Sequence, residues 1–201
     1  MSFHPEMRYE SGLHVSRREL RREGEPFAFT PENRERLERI AAHYPPEHRQ
    51  SAVIPALYIV QEQIGYVSAP AIRHVAEVIG VTPADVDDVV TYYAMFFRQP
   101  VGTYVVQVCR TLSCALRGAE RVTQELSRAL GVKPGETDPT GTFTLMEMEC
   151  LGACDRAPVV MVNNEHWHEC LAPGDAGKLI ETLKTGGEAA LTGCHLKIEK
   201  S

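Results

Sequence analysis

The sequence predicts a two-domain protein of mixed α/β class, in which a small N-terminal helical bundle precedes a β-α-β-β-β-α domain. Two observations carry this prediction. Up to residue 97, apolar side chains recur at helical spacing in short segments that begin at Ser or Thr. After Pro100 and Gly102, which interrupt the helical pattern, β-branched runs typical of strands alternate with amphipathic helical segments.

The N-terminal half divides into a tail and a helical domain. Residues 1–29 are polar and include the charge run RRELRREGE, which predicts a flexible tail. Over residues 30–97 we expect about four short helices, for which Thr30, Ser68 and Thr82 are suited as caps. The aromatic run TYYAMFF near the end of this domain is interpreted as core, with a docking surface as the alternative.

The C-terminal half divides into a domain at residues 98–187 and a tail at residues 188–201. The order of the domain's elements is strand, helix, strand, hairpin and helix, which is the order of a thioredoxin-like sandwich. The hairpin is predicted to turn at Asn163 and Asn164. Pro158 precedes one of its strands and invites comparison with the cis-proline of thioredoxin folds. The segments are, in chain order, TYVVQV, CALRGAERVTQELSRAL, TFTLMEME, PVVMVNNEHWHEC and PGDAGKLIETLKTGG.

Composition and charge limit the classes of function. The chain has 201 residues, of which 43% are hydrophobic, and a net charge of −6. This negative charge gives no electrostatic case for binding nucleic acid. No apolar run reaches the roughly 20 residues that a membrane helix needs, so direct membrane insertion is not expected. The first residues lack the apolar core of a secretory signal and carry several glutamates, which predicts a cytoplasmic protein with reduced thiols.

Four of the six cysteines lie at the ends of predicted strands or in the segments that directly follow them. Cys109 ends the first strand and Cys114 begins the next helix, while Cys150 ends the second strand and Cys154 lies in the loop after it. In a β-α-β unit the two strands are parallel, so both loops lie at one edge of the sheet. The sequence therefore predicts that four thiolates converge.

The spacing of these cysteines favours an iron–sulfur cluster. Structural zinc sites are typically built on C-x2-C knuckles, whereas the pairs here are C-x4-C and C-x3-C. Wider loops suit a [2Fe–2S] cluster, in which each iron takes two thiolates. Gly152 lets the backbone approach the cluster, and Thr111 and Ser113 can either donate hydrogen bonds to sulfur or cap the next helix. Zinc and metal-free cysteines are the alternatives.

The chain resembles the 24-kDa (E) subunits of respiratory NADH:quinone oxidoreductase (complex I), which are thioredoxin-like [2Fe–2S] ferredoxins. The motifs that carry the resemblance are QVCRTLSCAL and ECLGACDRAPVVMVN, with ALYIVQEQIGYVS and VTPADVDDVVTYYAMF upstream. The resemblance implies that Cys109, Cys114, Cys150 and Cys154 bind one [2Fe–2S] cluster. It also implies a partner, the larger flavoprotein subunit that binds NADH and FMN, together with other subunits of the peripheral arm.

The predicted function is therefore electron transfer within an assembly. The chain has neither a G-x-G-x-x-G nor a G-x-x-x-x-G-K-[ST] motif, so the isolated chain is not expected to bind or oxidise NADH. Through the complex, the resemblance implies a position on the inner, cytoplasmic face of the cell membrane. One alternative is the equivalent diaphorase subunit of an NAD-linked hydrogenase or formate dehydrogenase. Another is a zinc-stabilised thioredoxin-like adaptor without redox function.

Two further cysteines, Cys170 and Cys194, lie outside this motif. They are interpreted as free thiols, with Cys170 half-buried, and a disulfide between them is the alternative. His166 and His168 alternate with Cys170 along one predicted strand. We expect both histidines to be exposed strand residues rather than metal ligands.

Overall fold

The computed structural model describes residues 25–187, which form two compact units that divide after Pro100. The first unit is helical, and the second combines helices with a four-stranded sheet. The predicted mixed α/β class is thereby confirmed. Most of the predicted N-terminal tail, the predicted C-terminal tail and Cys194 lie outside the described residues.

Polar side chains fix where three helices of the first unit begin. The hydroxyls of Thr30, Ser68 and Thr82 each accept a hydrogen bond from a backbone N–H in the first turn, as predicted. Two helices end at glycines in the left-handed conformation, Gly65 and Gly80. The elements of this unit are α1 (Pro31–Ala41), a 3-10 helix (Pro46–Ala52), α2 (Val53–Ile64), α3 (Ala69–Ile79) and α4 (Pro83–Tyr92).

The bounds of the helical unit differ at both ends from the predicted ones. Phe27 and Phe29 pack against His74 of α3 and are only 7% and 9% exposed, so the tail predicted over residues 1–29 ends earlier. Two isolated aromatic residues in an irregular segment produce no periodic pattern, which is why the sequence did not indicate their burial. At the other end Arg98 pairs with Asp87 at 2.7 Å, which keeps residues beyond 97 in this unit.

The aromatic run after α4 divides between core and surface. Phe96 and Phe97 are buried, and the N–H of Phe97 donates to the side-chain oxygen of buried Gln61 at 2.8 Å. Tyr93 is half-buried, whereas Tyr92 is 81% exposed. The interpretation as core is therefore correct for the two phenylalanines and wrong for Tyr92.

The second unit is built on a mixed sheet. Its elements are β1 (Tyr104–Cys109), α5 (Leu112–Leu116), α6 (Ala119–Leu130), β2 (Phe143–Met148), a 3-10 turn (Cys154–Arg156), β3 (Val160–Val162), β4 (His166–His168) and α7 (Ala176–Gly186). The strand order is β2-β1-β3-β4, with β1 parallel to β2 and the other neighbours antiparallel. The Ala157–Pro158 peptide before β3 is cis, which agrees with the comparison of Pro158 with the cis-proline of thioredoxin folds. No helix within residues 25–187 has the length and apolar character needed to cross a membrane.

The long helix predicted after the first strand is divided into α5 and α6. Gly118 stands between them with φ +95°, a left-handed conformation that interrupts the helix. The N–H of Arg117 donates to the carbonyls of Ser113 and Cys114, which tightens the last turn of α5. Good helix formers on both sides conceal this break in the sequence. Cys114 therefore lies on a short helix of its own.

Hydrogen bonds attach the hairpin of β3 and β4 to β1. The hairpin turns at Asn163 and Asn164, with φ of 58° and 60°, as predicted. The side-chain oxygen of Asn163 accepts from the N–H of Val105 at 2.7 Å. The amide of Gln107, which is fully buried, donates to the side-chain oxygen of Asn164 at 2.6 Å. The position of β4 is thus fixed relative to the strand that ends at Cys109.

Candidate metal centre

Two cysteine-bearing loops lie at the same edge of the sheet. The first loop, residues 109–114, leads from β1 into α5, and the second loop, residues 150–154, follows β2. Because β1 and β2 are parallel, with Cys109 opposite Met148, both strands end at this edge. The structure thus brings the two loops together, as the parallel strands predict.

The thiols of the first loop are shielded from solvent. Cys109 and Cys114 are 2% and 1% exposed. The hydroxyl oxygen of Thr111 lies 3.1 Å from Sγ of Cys109. Thr111 occupies the N-cap position of α5, but its side chain makes no capping hydrogen bond. Of the two roles predicted for this hydroxyl, the contact with sulfur is the one observed.

The thiols of the second loop are open to solvent. Cys150 and Cys154 are exposed, and their sulfur atoms lie 3.4 Å apart. Gly152 between them has φ +83°, which few residues other than glycine adopt readily. A Cβ at this glycine would meet no atom within 4 Å. The loop therefore requires glycine for its backbone conformation and not for lack of space.

Hydrogen bonds lower the pKa of one thiol in each loop. For Cys150 the N–H of Gly152 is the largest cause of the lowered pKa. Burial by itself would raise the pKa of Cys109, but hydrogen bonds from the hydroxyl and N–H of Thr111 and from the N–H of Leu151 bring it below its ordinary value. These donors stabilise negative charge on sulfur, which is the form in which cysteine binds metal.

The other thiol of each loop has a raised pKa. Burial, together with the hydrogen bond to Cys109, raises the pKa of Cys114 to about 11. The hydrogen bond to Cys150 is the largest cause of the raised pKa of Cys154, and the hydroxyl of Ser113 acts in the opposite direction. Negative charge on Cys109 also raises the pKa of each of the other three cysteines. The four thiols therefore form one electrostatic group.

The chemistry of this donor set fits a two-iron cluster. Four thiols, two from each loop, match the two sulfur ligands that each iron needs. Hydrogen bonds from the N–H groups of Leu151 and Gly152 lower the pKa of Cys109 and Cys150, respectively. Such donors offset the negative charge of a thiolate-bound cluster.

Two contacts around the loops were not predicted from the sequence. The guanidinium of Arg110 binds the carboxylate of Glu149 at 2.6 and 3.2 Å and so joins the first loop to the strand end before the second. The indole N–H of Trp167 donates to the carbonyl of Leu151 at 3.2 Å. The opposite charges of Arg110 and Glu149 beside motif cysteines could have indicated the first contact. No sequence signal relates Trp167 to a loop 16 residues away.

The structure corrects the expectations for three side chains in or beside β4. Cys170 is exposed rather than half-buried, with φ +52° and its N–H donating to the carbonyl of Arg156. His168 is buried and His166 is half-buried, so the prediction of exposed histidines is wrong. Strand alternation explains this result, because both histidines share the face opposite Trp167.

Comparisons with known proteins identify similar sequences over most of the chain. A family model described as thioredoxin-like [2Fe–2S] ferredoxin matches residues 37–184. NADH-quinone oxidoreductase subunit 2 of Thermus thermophilus is 39% identical over 80% of this chain and 88% of its own length. The E subunit of the NADH-quinone oxidoreductase of Escherichia coli is also 39% identical, over 80% of this chain and 95% of its own length.

A solved structure shares the fold at lower identity. A chain of the NAD+-reducing [NiFe]-hydrogenase in its H2-reduced state matches 66% of this chain and 22% of its own length, with a TM-score of 0.57 at 18% identity. At this identity the solved structure shows the fold alone, whereas the family model and the sequence relatives show the family. The region that the family model matches contains all four motif cysteines. The chain therefore belongs to the thioredoxin-like [2Fe–2S] ferredoxin family.

Proposed function

We propose that the chain is the electron-transfer subunit of an NADH:quinone oxidoreductase and holds one [2Fe–2S] cluster on Cys109, Cys114, Cys150 and Cys154. The observation that carries this proposal is the meeting of two cysteine pairs at one edge of the sheet, where the thiols influence each other's ionisation. The names of the relatives support the parent complex.

Each loop contributes a different property to this site. The bound cluster would supply reversible one-electron chemistry. Cys109 and Cys114 lie in the core of the unit, so the first loop excludes water from one side of the site. The N–H of Gly152 and the hydroxyl of Thr111 stabilise negative charge on sulfur. Cys150 and Cys154 are exposed, so the second loop leaves the site accessible for electron exchange with a partner.

We infer that the partner is a flavoprotein subunit that binds FMN and NADH, as part of the peripheral arm on the cytoplasmic face of the membrane. Leu112 and Leu116 support a docking surface beside the site. They are 74% and 78% exposed and stand one turn apart on α5, on either side of Cys114. Exposed leucines at a redox centre are suited to burial against a partner that must approach closely.

The first experiment tests the cluster itself. The full chain is purified without oxygen, and its visible absorption, iron and acid-labile sulfide are measured. We expect a reddish-brown protein with two irons and two sulfides per chain. A colourless protein with stoichiometric zinc would instead establish the zinc-stabilised adaptor and refute the redox function.

The second experiment tests the parent complex and the partner. The chain is tagged in its own cells, and the associated proteins are identified. Recovery of quinone-reductase subunits supports the proposal, whereas recovery of hydrogenase or formate dehydrogenase subunits would replace it with the diaphorase alternative. The substitutions L112E and L116E should weaken association without removing the cluster. Ala129→Glu, which adds the same charge at an exposed position of α6, is the matched control.

A further inference from the structure

Trp167 is the chain's single tryptophan, and it contacts the backbone of the second loop. Its indole N–H donates to the carbonyl of Leu151, and its side chain is 37% exposed. We propose that Trp167 is a positioning residue that locks the Leu151–Gly152 peptide, so that the Gly152 N–H stays directed at Sγ of Cys150. The consequence for the cluster rests on the proposed function, whereas the locking of the peptide does not.

The geometry of a single peptide unit connects the two hydrogen bonds. The carbonyl of Leu151 and the N–H of Gly152 belong to the same planar trans peptide, so they point in opposite directions. Trp167 holds the carbonyl side, and the N–H on the other side is the donor that most lowers the pKa of Cys150. A donor at the carbonyl also polarises the N–H and strengthens its bond to sulfur.

On its glycine side, this peptide has little restraint of its own. Gly152 has φ +83°, and a Cβ there would have open space around it, so packing at this residue does not prevent rotation of the peptide, while the side chain of Leu151 packs against the core of the unit. Rotation would direct the carbonyl oxygen of Leu151 toward the Cys150 thiolate, where two negative atoms repel each other. The bond from Trp167 opposes this rotation.

Trp167 is itself held on a rigid support. It lies on β4 opposite Met161 of β3, and β3 pairs with β1. The turn between β3 and β4 is fixed to β1 by the side chains of Asn163 and Gln107. Because β1 ends at Cys109, the same strand that positions the first loop also positions the tryptophan that restrains the second loop.

The locked peptide has a predictable effect on reduction. An N–H bond to a thiolate ligand stabilises the more negative, reduced state of a cluster. Loss of Trp167 should therefore make reduction less favourable. One hydrogen bond of ordinary strength changes an equilibrium constant by between about threefold and tenfold, and tenfold corresponds to about 59 mV for one electron.

The test is the substitution W167F, which keeps an aromatic ring and removes the donor. In the cluster-free chain, hydrogen exchange of the Gly152 amide, followed by NMR, should become about threefold to tenfold faster, because a free N–H replaces a bonded one. In the cluster-loaded chain, redox titration followed by EPR should give a more negative midpoint. Unchanged exchange of Gly152, or an unchanged midpoint, would overturn the proposal.

Two further variants keep the result interpretable. Tyr92→Phe is the matched control, since it removes one donor from an exposed aromatic residue of the helical unit and should change neither measurement. If W167F lost the exchange protection of β1 and was therefore unfolded, W167Y, which also lacks a donor at the indole position, would be measured in its place. A wild-type chain that bound no cluster would refute the proposed function, while exchange of Gly152 would still test the locked peptide.

Discussion

The first and second loops present the same donor atoms in opposite surroundings. Cys109 and Cys114 are almost completely buried. Cys109 is the last residue of β1, an interior strand of the sheet, and Cys114 lies on α5. Cys150 and Cys154 are exposed. Packing thus surrounds both cysteines of the first loop. In the second loop Leu151 and Ala153 pack against the core while the cysteines stay exposed, and the indole N–H of Trp167 donates to the loop backbone.

This difference separates two physical influences on a bound cluster. Burial lowers the local dielectric constant, and hydrogen bonds to sulfur offset negative charge, and both affect a cluster's reduction potential. Here burial is concentrated on the first loop, and the N–H of Gly152 acts on the second. The arrangement indicates that the first loop contributes stability and the second contributes access, and each of the following predictions tests that division.

The largest effect should come from removing a ligand in either loop. Cys114→Ala and Cys154→Ala should each abolish or severely reduce the visible spectrum, because an iron that loses a protein ligand is no longer fully coordinated. Cys170→Ala is the control, since this exposed cysteine stands outside the motif. The measurement is absorption per iron in the purified variants. A normal cluster in the Cys154→Ala protein would contradict the ligand assignment.

The loops should also differ in the reactivity of their thiols in the cluster-free chain. The Gly152 N–H lowers the pKa of Cys150, while the neighbouring Cys150 raises that of Cys154, so Cys150 is ionised at lower pH. Because the thiolate reacts, iodoacetamide should modify Cys150 first near neutral pH, and Cys154 should approach its rate as the pH rises. Cys114 is buried, with a pKa of about 11, and should react last.

Mass spectrometry of timed digests measures this order of modification. The sensitive comparison is between Cys150 and Cys154, because both are exposed and differ mainly in their hydrogen bonds. Faster modification of Cys154 than of Cys150 at neutral pH would show that the Gly152 donor does not act as the structure indicates.

The contrast between the loops also explains which features the sequence could predict. The ligand pairs and the parallel strands follow from local patterns, namely cysteine spacing and β-branched runs. Other features depend on contacts between segments that are distant in the sequence, and local sequence patterns do not predict such contacts. They are the contact of Trp167 with Leu151, the burial of His168 and the packing of Phe27. The break at Gly118 is local, but good helix formers surround it.

A smaller effect is expected on the stability of the cluster-free chain. Cys114→Ala removes a fully buried sulfur from the core of the second unit and should lower the free energy of unfolding by about 1–2 kcal/mol. Cys154→Ala alters an exposed site and should change it by less than about 0.5 kcal/mol. Fluorescence of Trp167 in a urea titration reports on this unit alone, since the chain has one tryptophan. If both substitutions lowered the free energy of unfolding equally, the first loop would not contribute more to stability than the second.

The smallest effect should come from Thr111, whose side chain acts on a cysteine of each loop. The hydroxyl of Thr111 lies 3.1 Å from the sulfur of Cys109, and it also lowers the pKa of Cys150 by hydrogen bonding. Thr111→Val keeps the shape of the side chain and removes only this donor. Because the hydroxyl stabilises negative charge on sulfur, its loss should make the midpoint more negative by about 20 to 60 mV, the equivalent of one hydrogen bond.

Redox titration followed by EPR measures the shift in the Thr111→Val protein. Thr91→Val, which makes the same change in the helical unit, should leave the midpoint unchanged. The g values of the reduced cluster should stay close to those of the wild type, because no ligand is altered. A midpoint that moves in the positive direction, or does not move, would mean that the Thr111 hydroxyl does not donate to sulfur when the cluster is bound. The connection between the two loops would then depend on the Arg110–Glu149 pair, on the Ser113 hydroxyl beside Cys154 and on backbone donors.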